Sequence, residues 1–243
     1  MIEYLGDIVK VSFGGELTSL STTIMGGGLS KTQGAIFKTV PRDFNDDPDK
    51  EAAAAVSRVG GGSWMVFLTA VDVNLAAVAE WSHGFTVATA GLEPPACIHT
   101  INVLTVAREP LNQEGLVDLF RTVVEAKSLA AIKLGLMCGD DVAVGTVSDA
   151  AAVAAILEED GARFAGPGTA IGRAAASSVI SAVMDAAIKW AASSGAAEAG
   201  FVDEKHMERY MLLIRQGLEA SRAKYVNYLT SPPWSGIARF NNG

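Results

Sequence analysis

One helix-length stripe constrains this chain most. Over residues 111–134 the sequence places Leu116, Leu119, Phe120, Val123, Ala130 and Leu134 at helical steps. These positions share one face of an α-helix, and that face must cover something apolar. Asn112 is placed to cap its start, and Gly135 to take the left-handed turn that ends it. Lys127 falls on the same stripe. A charge there is costly unless paired, so it reads either as half of a buried ion pair or as a lysine snorkelling at the rim.

Around that helix the chain alternates β-like and helical segments. Residues 4–13 and 17–24 read as two strands of a hairpin turning at Gly14-Gly15. A glycine run at 26–28 follows, then a short strand at 35–40. Asp47 before Pro48 marks a helix start, carried by alanines to about Arg58 and stopped by Gly60-Gly61-Gly62. Residues 64–70 read as a buried strand and Asp72 to Trp81 as a helix. Strands are expected at 85–90 and 98–106, separated by a loop containing Pro94-Pro95. Residues 142–147 read as a strand, 148–158 as a helix, 169–192 as a long alanine-rich helix, and 203–228 as a final one. The fold class is therefore mixed α/β, with one mixed sheet packed against helices. A domain is expected over 1–200, with a helical extension over 201–243 packed on it.

Composition narrows the function. The 243 residues carry a net charge of -8, and no stretch is rich in lysine or arginine. Phosphate-backbone binding needs the opposite charge, so a nucleic-acid partner is not expected. Cys97 and Cys138 form no CxxC pair, and two free thiols suit a reducing compartment. The acidic N-terminus does not read as a signal peptide, and charges interrupt the apolar stretches. The expectation is a cytoplasmic protein with no membrane partner; a homo-oligomer is compatible with the sequence.

Several segments carry candidate chemistry. Gly26, Gly27 and Gly28 offer either backbone donors to an anion or a plain turn. No Gly-Lys-Ser/Thr follows them, so they are not a phosphate-binding P-loop. The stretch 166–172, with Gly168 and Thr169, opens a helix and reads equally as an oxyanion cradle or a cap. Gly145, Thr146, Ser148 and Asp149 lie at a strand end. There a hydroxyl with a carboxylate base can act as a nucleophile, or the same residues can simply cap a helix. Glu125 and Lys127 are a candidate charged pair. Cys97 and His99 are spaced as two ligands of one extended segment, but no third ligand can be named, so no metal and no cofactor are assigned.

Eight segments in order add a resemblance. They are LSTTIMGGGLS (20–30), VPRDFNDDP (40–48), LTAVDV (68–73), TAGLEPP (89–95), TINVLTV (100–106), VVEAKSLAAIKLG (123–135), GTVSDAAAVA (145–154) and AGPGTAIGRA (165–174). Together the chain resembles the adenosylcobinamide amidohydrolase (CbiZ-type) family over about 18–185. The resemblance implies a corrinoid small-molecule substrate and hydrolysis of adenosylcobinamide to adenosylcobyric acid and aminopropanol, in corrinoid salvage or remodelling. It carries over Asp43, Asp72, Asn102, Glu125, Lys127, Gly145, Thr146 and Asp149 as motif positions. His99 stands where the family has a small residue, and Val147 interrupts a run of hydroxyls.

The expected mechanism starts from Thr146, or from a water activated by Asp149. Backbone N–H groups at 26–28 or 166–169 would hold the oxyanion, and Lys127, oriented by Glu125, would supply a proton or charge. Substrate contacts are expected from Gly26, Gly27, Gly28, Asp43, Asp72, Asn102, Gly145, Gly168 and Thr169. The competing readings are a corrinoid-binding protein without hydrolytic activity, and a nucleotide- or phosphate-binding enzyme using the glycine loops.

Overall fold

A computed structural model describes residues 1–92, 100–138, 141–146 and 148–194, with Leu212, Arg215, Gln216 and Glu219. Cys97, His99, Pro94-Pro95, Val147 and nearly all of the expected 203–228 helix lie outside the described residues. One mixed sheet runs, in spatial order, Trp64–Thr69, Gly28–Thr39, Ile8–Ser21, Ala150–Ala155, Thr100–Ala107, Gly84–Gly91 and Ala77–Trp81, with Ile2–Tyr4 on Ile8–Ser21. The strands are β1 (Ile2–Tyr4), β2 (Ile8–Ser21), β3 (Gly28–Thr39), β4 (Trp64–Thr69), β5 (Ala77–Trp81), β6 (Gly84–Gly91), β7 (Thr100–Ala107) and β10 (Ala150–Ala155). A separate two-residue pair joins β8 (Met137–Cys138) to β9 (Asp141–Val142). The helices are α1 (Pro48–Arg58), α2 (Gln113–Lys133) and α3 (Ala170–Ser194). The mixed α/β reading holds.

Side-chain alternation divides the core. On β7, Ile101 and Val103 face the cluster that α2 and α3 cover. Leu104 and Val106 face the opposite way, toward Val9, Phe37 and Phe67 from β2, β3 and β4. That second cluster joins both halves of the sheet, so the sheet curls around it. The outer face of β3 and β4 is covered by α1 through Ala52 and Ala55.

The curl explains one correction. Gly14-Gly15 does not turn the chain; β2 runs straight through it, and its register against β3 slips between Ser12 and Leu17. A bulge there bends the strand rather than reversing it. The hairpin turns at 22–27 instead, and its tip returns to the sheet where Met25 bridges to Val66. A Cβ on Gly26 would sit 2.7 Å from the Trp64 carbonyl oxygen, so only glycine allows this approach.

Three further expectations are corrected. Residues 72–81 are not a helix: Asp72 caps a single 3₁₀ turn, Val73–Leu75, and β5 follows. Residues 148–158 are not a helix either, because Ala150–Ala155 is a strand, parallel to β7 and antiparallel to β2. Both segments are alanine-rich, which favours helix locally, but pairing with neighbouring strands overrides propensity. Of the described residues in the strand expected at 142–147, only Val142 belongs to one.

The long helix α3 is where expected, and most of its buried positions are small. By length and composition it could cross a bilayer, contrary to the expectation drawn from the charges that interrupt the apolar stretches. Half of its most apolar window is buried in the protein, as in the core helix of a folded domain.

A charged clamp ties α1 to the first strands. Lys38 Nζ lies 3.0 Å from Asp7 Oδ2 and 3.1 Å from Glu51 Oε1, and Arg58 Nη2 lies 2.7 Å from Asp7 Oδ1. The Arg58 hydrogen bond, with help from Lys38, holds the Asp7 carboxyl down at about 2 against a partial opposing effect of burial. A depressed carboxyl stabilises the fold above its ordinary value of 3.8 and loses that contribution as pH falls toward about 2. Asp7→Asn should therefore lower Tm at pH 7, with the difference from wild type shrinking between pH 4 and pH 2 in thermal melts. Asp7 is substantially exposed, so the effect is a few degrees at most.

Candidate functional site

Helix α2 brings its odd charge to the sheet. Asn112 caps the helix by accepting from the Gly115 N–H at 2.9 Å, and Gly135 closes it at φ 70°. Leu116, Leu119, Val123 and Ala130 on the stripe are buried, and so is Lys127, at 7% exposure. Lys127 does not snorkel. Its ammonium donates to Asp149 Oδ2.

Asp149 is the residue before β10, and β7 holds it in place. Its Oδ1 accepts from the Ile101 N–H at 2.8 Å, while the next N–H, of Ala150, donates to Asn102 Oδ1 at 3.1 Å. The loop before it folds back. The Thr146 N–H donates to Asp149 Oδ2 at 3.0 Å, and the Thr146 hydroxyl donates to Asp149 Oδ1. Each carboxylate oxygen thus receives two donors, which fills the roughly four acceptor positions of the group. Gly145 lies directly against the pair: a Cβ there would be 2.7 Å from Asp149 Oδ2 and 3.2 Å from Lys127 Nζ.

Asp149 carries the arrangement to the edge of a cleft of about 410 Å³ at the end of the sheet, with Thr146, Lys127 and Gly145 behind it and not among the lining residues. Asp149, Ser148, Thr100, Thr22, Thr69 and Phe44 are among the residues that line it. That volume is at the small end of ligand sites. Chemically, the site offers a hydroxyl bonded to a carboxylate whose charge is balanced by a buried ammonium. A hydroxyl so held can pass its proton to the carboxylate as it attacks a carbonyl.

The structure brings together Thr146, Asp149, Lys127 and Gly145, with Asn102 one bond away through Ala150. It does not bring Glu125 to Lys127. Glu125 pairs with Arg121 at 2.8 Å on the exposed face, and Arg121 also holds Asp118 at 2.7 Å. Residues two apart on a helix point in different directions, which is the physical reason. Asp72 caps its 3₁₀ turn, accepting from the Asn74 N–H at 3.0 Å. Thr169 caps α3, accepting from the Gly172 N–H at 3.0 Å, which favours the cap over the oxyanion cradle. Asp43 is exposed between Arg42 and Phe44, both of which line the cleft. None of the residues expected to contact substrate, Gly26, Gly27, Gly28, Asp43, Asp72, Asn102, Gly145, Gly168 and Thr169, is among those lining it, and Asn102 is fully buried.

Sequence reasoning missed two participants. The Ile101 N–H gave no signal, because any residue supplies one. The Thr100 hydroxyl, which donates to the Ser148 carbonyl at 3.4 Å, was hidden in a strand motif. Among the described residues no three His, Cys, Asp or Glu side chains gather as metal ligands.

No curated protein and no solved structure matches this chain. A family model does, that of adenosylcobinamide amidohydrolase, over residues 3–195 of 243. The match takes in α1, α2 and α3 and the whole cluster around Asp149, and the chain belongs to the adenosylcobinamide amidohydrolase family.

Proposed function

We propose that this protein hydrolyses the amide linking aminopropanol to the corrin ring of adenosylcobinamide, releasing adenosylcobyric acid, as one step in corrinoid salvage or remodelling. The observation that carries the reading is the Thr146–Asp149–Lys127 chain beside a cleft, in a member of this family. Of the two openings considered for the reaction, the geometry favours Thr146 over an Asp149-activated water. All four acceptor positions of Asp149 are engaged, so a water would have to displace an existing donor.

In this mechanism Thr146 Oγ1 attacks the amide carbon as its proton passes to Asp149. Collapse of the tetrahedral adduct breaks the C–N bond, and the same proton leaves on the amine of aminopropanol. Water then cleaves the threonyl ester, its proton travelling through Asp149 back to Thr146. Lys127 fixes the carboxylate by charge and hydrogen bond. The test is incubation with adenosylcobinamide and chromatography for free aminopropanol. Binding without release would identify a corrinoid-binding protein instead. Stabilisation by nucleotide but not by cobinamide would point to the phosphate-binding class.

Gly145 sets the spacing of this chain. Gly145→Ala should push Asp149 and Lys127 apart, and kcat/KM should fall about 10- to 100-fold, since displacements near 1 Å cost that much. Steady-state kinetics on the folded variant checks it; activity equal to wild type would show that the pair tolerates separation.

A further inference from the structure

Two buried polar atoms near the cleft have no hydrogen-bond partner among the described residues: Thr89 Oγ1 and Asn102 Nδ2. Their residues are 1% and 0% exposed. They are also direct partners in the antiparallel ladder between β6 and β7. Opposed residues project from the same face with Cβ atoms about 4.5–5.5 Å apart, so both side chains enter one small space. The orientation of the Asn102 amide is fixed, because its Oδ1 accepts from the Ala150 N–H at 3.1 Å. The amide nitrogen is therefore the end without an acceptor.

The face on which they lie continues to Val87 and Leu104 in the interior cluster. In the other direction it continues to Thr100, which lines the cleft. The pair thus sits one layer inside the cleft wall. Buried donors in folded proteins are almost always satisfied, and neighbouring polar atoms that do not bond each other directly are commonly bridged by water. A cation does not fit an amide N–H₂, and an anion would bury its charge against Val87 and Leu104. A neutral molecule that both accepts and donates does fit.

We infer that Thr89 and Asn102 hold one internal water molecule, accepting from Asn102 Nδ2 and bonded to Thr89 Oγ1. This water completes the bonding of the amide that pins Ala150, the residue next to Asp149. The inference rests on the sheet register and does not depend on the proposed reaction.

Thr89→Val tests it by the sign of its effect. The substitution keeps the shape, removes the hydroxyl and suits a strand. If the hydroxyl lacks a partner, its removal leaves Tm unchanged or raises it. If it holds a water that also serves Asn102, Tm falls by about 2–4 °C. A fall in Tm supports the site; no change or a rise overturns it. A high-resolution crystal structure of the wild-type protein reads the same point directly. Solvent density within hydrogen-bond distance of both atoms supports the inference, and a direct Thr89–Asn102 bond without solvent overturns it.

Discussion

Thr146→Val is expected to lower kcat/KM for amide cleavage by at least about a thousandfold, the order of loss when a nucleophile is removed from a catalytic unit. Valine copies the shape of threonine and deletes only the hydroxyl that donates to Asp149 Oδ1. The Asp149 carboxylate keeps its bonds to the Ile101 N–H, the Thr146 N–H and Lys127. The fold should therefore survive, and the loss should appear in turnover rather than in Tm. Ser148 is the control. Its residue lines the cleft, but the hydroxyl bonded to the carboxylate belongs to Thr146. Ser148→Ala should stay within a few fold of wild type. If Ser148→Ala abolishes turnover while Thr146→Val does not, the nucleophile has been assigned to the wrong hydroxyl. If both retain it, a water does the attack and Asp149 must give up one of its donors to activate it.

The parts of this site that the sequence shows are those with a local signal. Lys127 stood out because a charge interrupts an otherwise apolar helical stripe, and a stripe is legible at any single position. The Asp47 cap and Gly135 were legible for the same reason, since each acts on residues within a few positions. What stayed hidden is set by distant pairing. Residues 150–155, alanine except for Val153, favour a helix in isolation, yet they form a central strand between β2 and β7 with α2 on one face. Both faces of that strand are covered, so small side chains there reflect tight layers rather than helix propensity. Reading it as a helix also set Asp149 at a helix start, as a base or a cap, and not as the partner of Lys127. Glu125 was matched to Lys127 because the two are close in sequence; the true partner is 22 residues further along. Proximity along the chain suggested the wrong carboxylate, and only the packing of α2 on β10 supplies the right one.

Lys127→Met should give the largest loss of stability of any single change at this site. The side chains of Lys127 and Asp149 are 8% and 12% exposed. Removing the ammonium leaves a carboxylate buried without its counter-charge, and breaking such a pair costs about 3–5 kcal/mol. For a domain of this size that corresponds to a fall in Tm on the order of 10 °C. The double variant Lys127→Met/Asp149→Leu separates stability from chemistry. With both charges gone the desolvation penalty is gone too, so Tm should recover much of the loss, whereas turnover should stay abolished because no base remains. A double variant no more stable than Lys127→Met would mean that the donors left by Asp149, the Ile101 and Thr146 N–H groups, matter more than the charge pair. Arginine is not a rescue here. Gly145 stands within 3.2 Å of Lys127 Nζ, measured from where its Cβ would be, and a planar guanidinium is wider than an ammonium. Lys127→Arg should therefore keep the positive charge and still lose activity, which shows the pair to be selected by fit as well as by sign.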